Sequence, residues 1–337
     1  MSRVSKIILW VIVAAILLVV PGISWTIGWR PFLGPRERPL TKHSFHRTPE
    51  RLARGKYLAG LAHCMHCHSQ QEWSQPGAPI VPGSLGAGQI FPAKGLPGRI
   101  VASNLTPDPE TGLGNWTDDE IARAIREGVD RNGRALFPLM PYEHFRHMSD
   151  EDIASLVVYL RSLPPVRNPL PKTQIIFPVR YLIRSLPEPV TSPVAPPDSS
   201  SPLKRGAYLV EIGQCTDCHT PPDRDGKPNQ QMEFGGGRVM KGPWGRVASA
   251  NITPDATGIG HFDLPLFEQA MRTGYVGLKP LNPIMPWPFY HDLTDQDLSD
   301  MFTYLKTLKP VRHIVDNTQK PTFCRLCDAM HGAGDQN

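Results

Sequence analysis

One pattern occurs twice in this chain, and the duplication constrains the fold more than any other feature. GKYLAGLAHCMHCHS (55–69) matches GAYLVEIGQCTDCHT (206–220), and ASNLTPDPETGLG (102–114) matches SANITPDATGIG (249–260). LFPLMPYEHF (136–145) matches LNPIMPWPFY (281–290), and SDEDIASLVVYLRSLPPVR (149–167) matches TDQDLSDMFTYLKTLKPVR (294–312). The copies run in the same order with short deletions between them. That describes a duplicated domain of just over a hundred residues, not a solenoid of short repeats. At 337 residues the chain has room for two such domains and connecting segments. Its 37 prolines and 29 glycines predict small, turn-rich domains.

Local signals predict that each copy is helical. Thr48 before Pro49 predicts an N-cap, opening a helix that ends near Cys64. Thr117 to Glu120 reads as a capping box for a helix reaching Glu127 and stopped by Gly128. Ser149-x-x-Asp152 and Thr294-x-x-Asp297 open the last helix of each copy, with Pro164 and Pro310 beyond their ends. Ile153, Leu156, Val157 and Leu160, like Leu298, Met301, Phe302 and Leu305, fall at helical spacing and belong to the core. The expected fold is therefore all-α.

What the copies share at their cysteines is Cys-x-x-Cys-His: Cys64, Cys67, His68 and Cys215, Cys218, His219. His63 aligns with Gln214 and His66 with Asp217, so those imidazoles lie outside the shared pattern and are expected near the rim of the site. Cys-x-x-Cys-His is the attachment pattern of a c-type haem: two thioether links to the porphyrin, with the next histidine as an iron ligand. A zinc ion on four thiolates would need the two copies to converge on one site. Disulfides within each pair also fit the spacing. Both rivals leave the following histidines unexplained. Two covalently bound haem c groups are expected, one per copy. Met140 and Met285, each followed by proline and an aromatic residue, occupy equivalent positions and are the expected sixth ligands. His144 is a rival for the first iron. Arg99 and Arg246, also equivalent, either pair with haem propionates or stand exposed in water.

With Gly55-x-Tyr57-Leu58 and Gly206-x-Tyr208-Leu209 ahead of the cysteines, the copies resemble class I cytochrome c. SNLTPDPETGLGNWTDDEIARAIREGV (103–129) and ANITPDATGIG (250–260) resemble the cytochrome subunits of bacterial membrane-bound alcohol, gluconate and aldehyde dehydrogenases. The resemblance spans 48 to 316. It implies His/Met ligation, packing of the Gly55 and Gly206 helices against Tyr159 and Tyr304, and electron relay from a periplasmic dehydrogenase toward the respiratory chain. Downstream it implies a quinone, a carrier cytochrome or a terminal oxidase. The alcohol and gluconate subunits carry three haem domains where this chain shows two. An electron-transfer protein without a substrate of its own is the main expectation. A dihaem cytochrome c peroxidase-like enzyme with one open haem is the alternative, opposed by a methionine in both copies.

Arg3 and Lys6 precede an uncharged stretch from Ile7 to Trp29, roughly 34 Å long as a helix and sufficient to cross a bilayer core. The charge bias puts the N-terminus in the cytoplasm and the remainder on the periplasmic side of the inner membrane. Residues 1–30 are read as an uncleaved anchor; the alternative is a signal peptide cleaved near Gly22-x-Ser24. The expected layout continues with haem domains over 48–165 and 203–316, a proline-rich linker over 166–202 and a tail over 317–337. The linker's IIFPVRYLIRSL (175–186) is too apolar to stay in water and is expected to pack on one domain. The net charge of +5 is scattered, without the basic run that nucleic-acid binding needs. The tail carries a third pair, Cys324 and Cys327, without a following histidine. A local disulfide is the leading expectation, with a degenerate haem remnant or a metal site using His331 as alternatives.

Overall fold

The computed structural model describes residues 2–337. The framework is helical: α1 (Arg3–Trp25), then α2 (Pro49–Leu61), α3 (Asp118–Glu127) and α4 (Asp150–Ser162) in the first copy. The second copy supplies α5 (Pro202–Ile212), α6 (Leu264–Thr273) and α7 (Asp295–Leu305). Four-residue strands β1 (Val239–Gly242), β2 (Gly245–Ala248), β3 (Pro321–Cys324) and β4 (Ala329–Gly332) form two hairpins, and shorter ladders tie the loops.

The helices start where their caps predict. Thr48, Ser149 and Thr294 each accept a backbone N–H from the first turn. Thr117 and Glu120 form the reciprocal capping box, and α3 stops at Gly128 in the left-handed conformation. In each copy the first helix crosses the last: α2 on α4 and α5 on α7. A Cβ on Gly55 would lie 1.9 Å from the Ser155 carbonyl oxygen, and one on Gly206 would lie 1.9 Å from that of Asp300. The crossings therefore require glycine.

Both copies contribute to one continuous core, with Leu58, Leu61, Phe145 and Leu156 from the first and Val210, Ile212, Leu298 and Met301 from the second. Polar contacts across the junction are reciprocal. Tyr208 donates to Asp152 at 2.8 Å, and Tyr57 donates to Asp297. Each carboxylate also receives an arginine of its own copy, Arg54 on Asp152 and Arg205 on Asp297.

Among the described residues, α1 is the one helix long and apolar enough to cross a membrane, with a mean hydropathy of 2.8 and no buried residue. The chain beyond it is laced onto the first copy. Arg38 forks onto Asp119 (2.6 Å) and Glu127 (2.8 Å), and the Phe45 amide donates to Asp118 at 2.8 Å. Burial raises the Glu127 carboxyl. Burial works the same way on Asp119, but Arg38 and Thr41 together hold it below the usual range.

Candidate haem-binding sites

Each Cys-x-x-Cys-His sits on a single helical turn, Cys64–Cys67 and Cys215–His219, directly after the first helix of its copy. The residue before each first cysteine reverses the chain in the left-handed region: His63 at φ 38° and Gln214 at φ 55°. The four thiols are free. His68 donates Nδ1–H to the Ser103 carbonyl at 2.7 Å, and His219 donates to the equivalent Ala250 carbonyl at 2.7 Å. A carbonyl only accepts, so these bonds fix the tautomer and leave Nε2 with the free lone pair that a metal would need. Burial lowers both imidazoles, which keeps them in the neutral form a metal takes.

The methionine loops are also built twice. Met140 follows a turn closed by its amide on Phe137, and Met285 one closed on Asn282. The glycine ending the preceding helix lies beneath the aromatic residue two places after each methionine. A Cβ on Gly128 would meet the Tyr142 ring at 2.5 Å, and one on Gly274 the Trp287 ring at 2.3 Å. Leu136 and Leu281 close these loops onto the same two glycine carbonyls.

In the first copy the parts meet in one cavity of about 920 Å³, lined by Cys64, Cys67, His68 and Met140. That volume lies within the roughly 300–1,000 Å³ of sites that enclose a cofactor. Two thiols, an imidazole with its free nitrogen fixed and a thioether around an apolar cavity fit a c-type haem. In the second copy Cys215 and Met285 pack against the shared core as Cys64 and Met140 do in the first.

His144, His66 and His63 lie near the two clusters and differ in what they touch. His144 donates both ring N–H groups, to Glu211 and to Asp217, each at 2.8 Å, which leaves neither nitrogen for iron. Burial pulls its pKa down, but the two carboxylates outweigh it and carry the imidazolium to about 10. His66 is buried among Trp73, Phe289 and His63 at the junction of the copies, while His63 lines the cavity.

Arg99 is exposed and reaches the Lys172 carbonyl, while Arg246 is exposed and donates to the Met330 carbonyl. Each guanidinium thereby ties its copy to the segment that follows it. The arginines that do line the first cavity are Arg134, Arg180 and Arg184. The last two come from IIFPVRYLIRSL, whose Ile175 and Ile183 also line it. An apolar run interrupted by two arginines was the available signal: apolar side chains to close a cavity, cations for an anionic edge.

Comparison with known proteins agrees with this geometry. The cytochrome c family model matches residues 52–164. A nicotinate dehydrogenase subunit of Pseudomonas putida is 35% identical over 255 residues, covering 69% of this chain and 19% of that one. The fructose dehydrogenase cytochrome subunit of Gluconobacter japonicus is 32% identical over 283 residues, covering 80% and 54% respectively. The gluconate 2-dehydrogenase cytochrome c subunit of Pantoea cypripedii is 30% identical over 276 residues, covering 76% and 59%. The chain thus spans little more than half the length of the two cytochrome subunits and about a fifth of the nicotinate dehydrogenase polypeptide. With two Cys-x-x-Cys-His clusters on a duplicated helical framework, the chain belongs to the class I c-type cytochromes, homologous to the cytochrome c subunits of dehydrogenase complexes.

Proposed function

We propose that this chain is a membrane-anchored electron relay holding two covalently attached haem c groups. Residues 48–165 and 203–316 are the two haem domains, 166–202 the linker between them, and 317–337 the tail. Cys64 and Cys67, and Cys215 and Cys218, would form the thioethers; His68 with Met140, and His219 with Met285, would ligate the two irons. Arg134, Arg180 and Arg184 line the first cavity and would pair with the propionates of a haem held there. The observation that carries this reading is the first cavity, where Cys64, Cys67, His68 and Met140 line one apolar space. When bound, each haem supplies a one-electron ferric/ferrous couple whose potential a thioether ligand raises.

The protein's own contribution is to limit rearrangement. The Ser103 and Ala250 carbonyls hold the two imidazoles in orientation, and the core packed behind both cysteine turns excludes water. The turns also abut: Gln214 donates to the Ala62 carbonyl at 3.3 Å, so the two sites share one junction. The apolar helix α1 makes the protein a single-pass inner-membrane protein with its haem domains on the periplasmic side. A dehydrogenase upstream and a quinone, carrier cytochrome or terminal oxidase downstream are the proposed partners, which fits the dehydrogenase subunits among the relatives.

The pyridine haemochrome assay on the full-length, detergent-solubilised protein tests the assignment. Two c-type haems per chain, both low-spin with methionine charge-transfer bands, are expected. A high-spin haem that turns over peroxide would replace the relay with the peroxidase reading. Pull-down from solubilised membranes identifies the dehydrogenase.

A further inference from the structure

Away from both cavities, His313, Cys324, Cys327 and His331 converge near the C-terminus. β3 and β4 pair antiparallel, and His331 lies opposite Thr322 on the ladder. Cys324 ends β3, and Cys327 lies in the turn to β4, which reverses at Asp328 (φ 49°). His313 approaches from the segment leaving α7. His313, His331 and Cys324 are 0% exposed and Cys327 is 4% exposed. One donor atom from each lies within 4.8 Å of all the others. The thiols are free, in place of the disulfide expected from the sequence.

The hydrogen bonds show where the lone pairs point. His313 donates Nδ1–H to the Gly235 carbonyl (2.8 Å), and His331 donates Nδ1–H to the Gly332 carbonyl (3.0 Å). Both Nε2 atoms are then unprotonated, yet they face each other at 3.2 Å in a buried site, with Cys324 Sγ 3.4 Å from that of His313. Two opposed lone pairs at that distance repel unless a cation lies between them. Tetrahedral zinc, with bonds of about 2.0–2.1 Å to nitrogen and 2.3 Å to sulfur, puts its ligands about 3.3 Å (N to N) and 3.6 Å (N to S) apart.

The duplication isolates the feature. Asn168 in the first copy takes a backbone bond to Thr111 (2.9 Å) and donates its side-chain amide to the Ala87 carbonyl (2.9 Å). His313 repeats both bonds, to Thr257 (2.9 Å) and to Gly235. An asparagine suffices for that task. The imidazole adds a second nitrogen, and it is aimed at the cysteines.

We propose that His313, Cys324, Cys327 and His331 bind one structural zinc ion. Two thiolates neutralise its charge, and two protons leave the thiols as it binds. All four positions are filled by protein, and Met232, Val311 and Ala329 form an apolar surround, as in a closed structural site rather than a catalytic one. The ion clamps the C-terminal hairpin to the glycine run behind the second haem ligand. Gly235 accepts from His313, Gly236 donates to the His219 carbonyl at 2.7 Å, and a Cβ on Gly237 would meet the His313 ring at 2.4 Å. In an oxidising compartment it also explains how an adjacent thiol pair stays reduced.

Elemental analysis of the full-length holoprotein, purified without added metal or chelator, tests the site. One zinc per chain beside the haem iron is expected, and zinc K-edge absorption should show two sulfur and two nitrogen neighbours. C324S/C327S should lose the zinc and keep the haem content of the parent. Should that variant fail to fold, the wild-type protein decides alone. Alkylation and peptide mass analysis after chelation should label Cys324 and Cys327, whereas the untreated protein should protect them. A metal-free protein whose Cys324–Cys327 peptide is two hydrogens lighter, or a zinc shell without sulfur, would overturn the proposal.

Discussion

Tyr208 of the second copy donates to Asp152 of the first at 2.8 Å, on a carboxylate that Arg54 already grips at 2.7 Å. Asp152, 5% exposed, thus joins both copies through one carboxylate. Tyr208→Phe removes a neutral donor while Arg54 stays paired, so a loss of about 1 kcal/mol is expected in denaturant unfolding. Asp152→Ala removes the partner of both Arg54, whose side chain is 40% exposed, and the half-buried Tyr208 hydroxyl, and should cost about 2–3 kcal/mol. Equal effects from the two variants would refute the shared-carboxylate account.

The His144 clamp predicts a pH dependence. With its pKa raised from 6.5 to about 10 by Asp217 and Glu211, the imidazolium stabilises the junction fully below about pH 6.5. That contribution falls as pH rises and is gone above about pH 10. Melting curves of the holoprotein across this window should show the decline, and His144→Gln should flatten it. An unchanged slope in the variant would assign the dependence to other groups.

Gly55 and Gly206 each face a carbonyl where a methyl group cannot fit. Gly55→Ala must push α2 off α4, and Gly206→Ala must push α5 off α7, each costing about 3 kcal/mol through overpacking. Chemical denaturation of each variant measures this. A loss under 1 kcal/mol would mean the helices separate freely.

Met140→Ala and Met285→Ala separate the two sites. Each should lower one haem potential on the order of 100 mV, a fraction of the roughly 0.8 V that axial ligation controls. The other potential should stay nearly fixed. Spectroelectrochemical titration reads both steps. A variant that shifts neither potential removes that methionine from the iron.

Helix starts were legible in the sequence because a cap is local: Thr48, Thr117, Ser149 and Thr294 bond within three residues of themselves. The thiol–imidazole clusters were legible because each lies within five residues. The role of His144 is not legible in the sequence because its partners, Glu211 and Asp217, are 67 and 73 residues away. The burial of His66 is not legible either, because Phe289, which helps bury it, belongs to the other copy. His313 stands one residue beyond the repeat: the matched segments end at Arg167 and Arg312, just before Asn168 and His313 diverge. Arg99 and Arg246 matched each other, but equivalence carries no information about what a guanidinium reaches.

Residues 35–47, bound along α3 by Arg38, Thr41 and Phe45, leave little slack between the bilayer and the first haem cavity. The body beyond the anchor would then ride at a set height, like a float on a short mooring. Encounters with a reaction partner embedded in the same lipid sheet then become a search in two dimensions through a thin shared layer. Turnover with such a partner should follow crowding and viscosity in the membrane, while a freely dissolved partner must cross the bulk to reach the same edge.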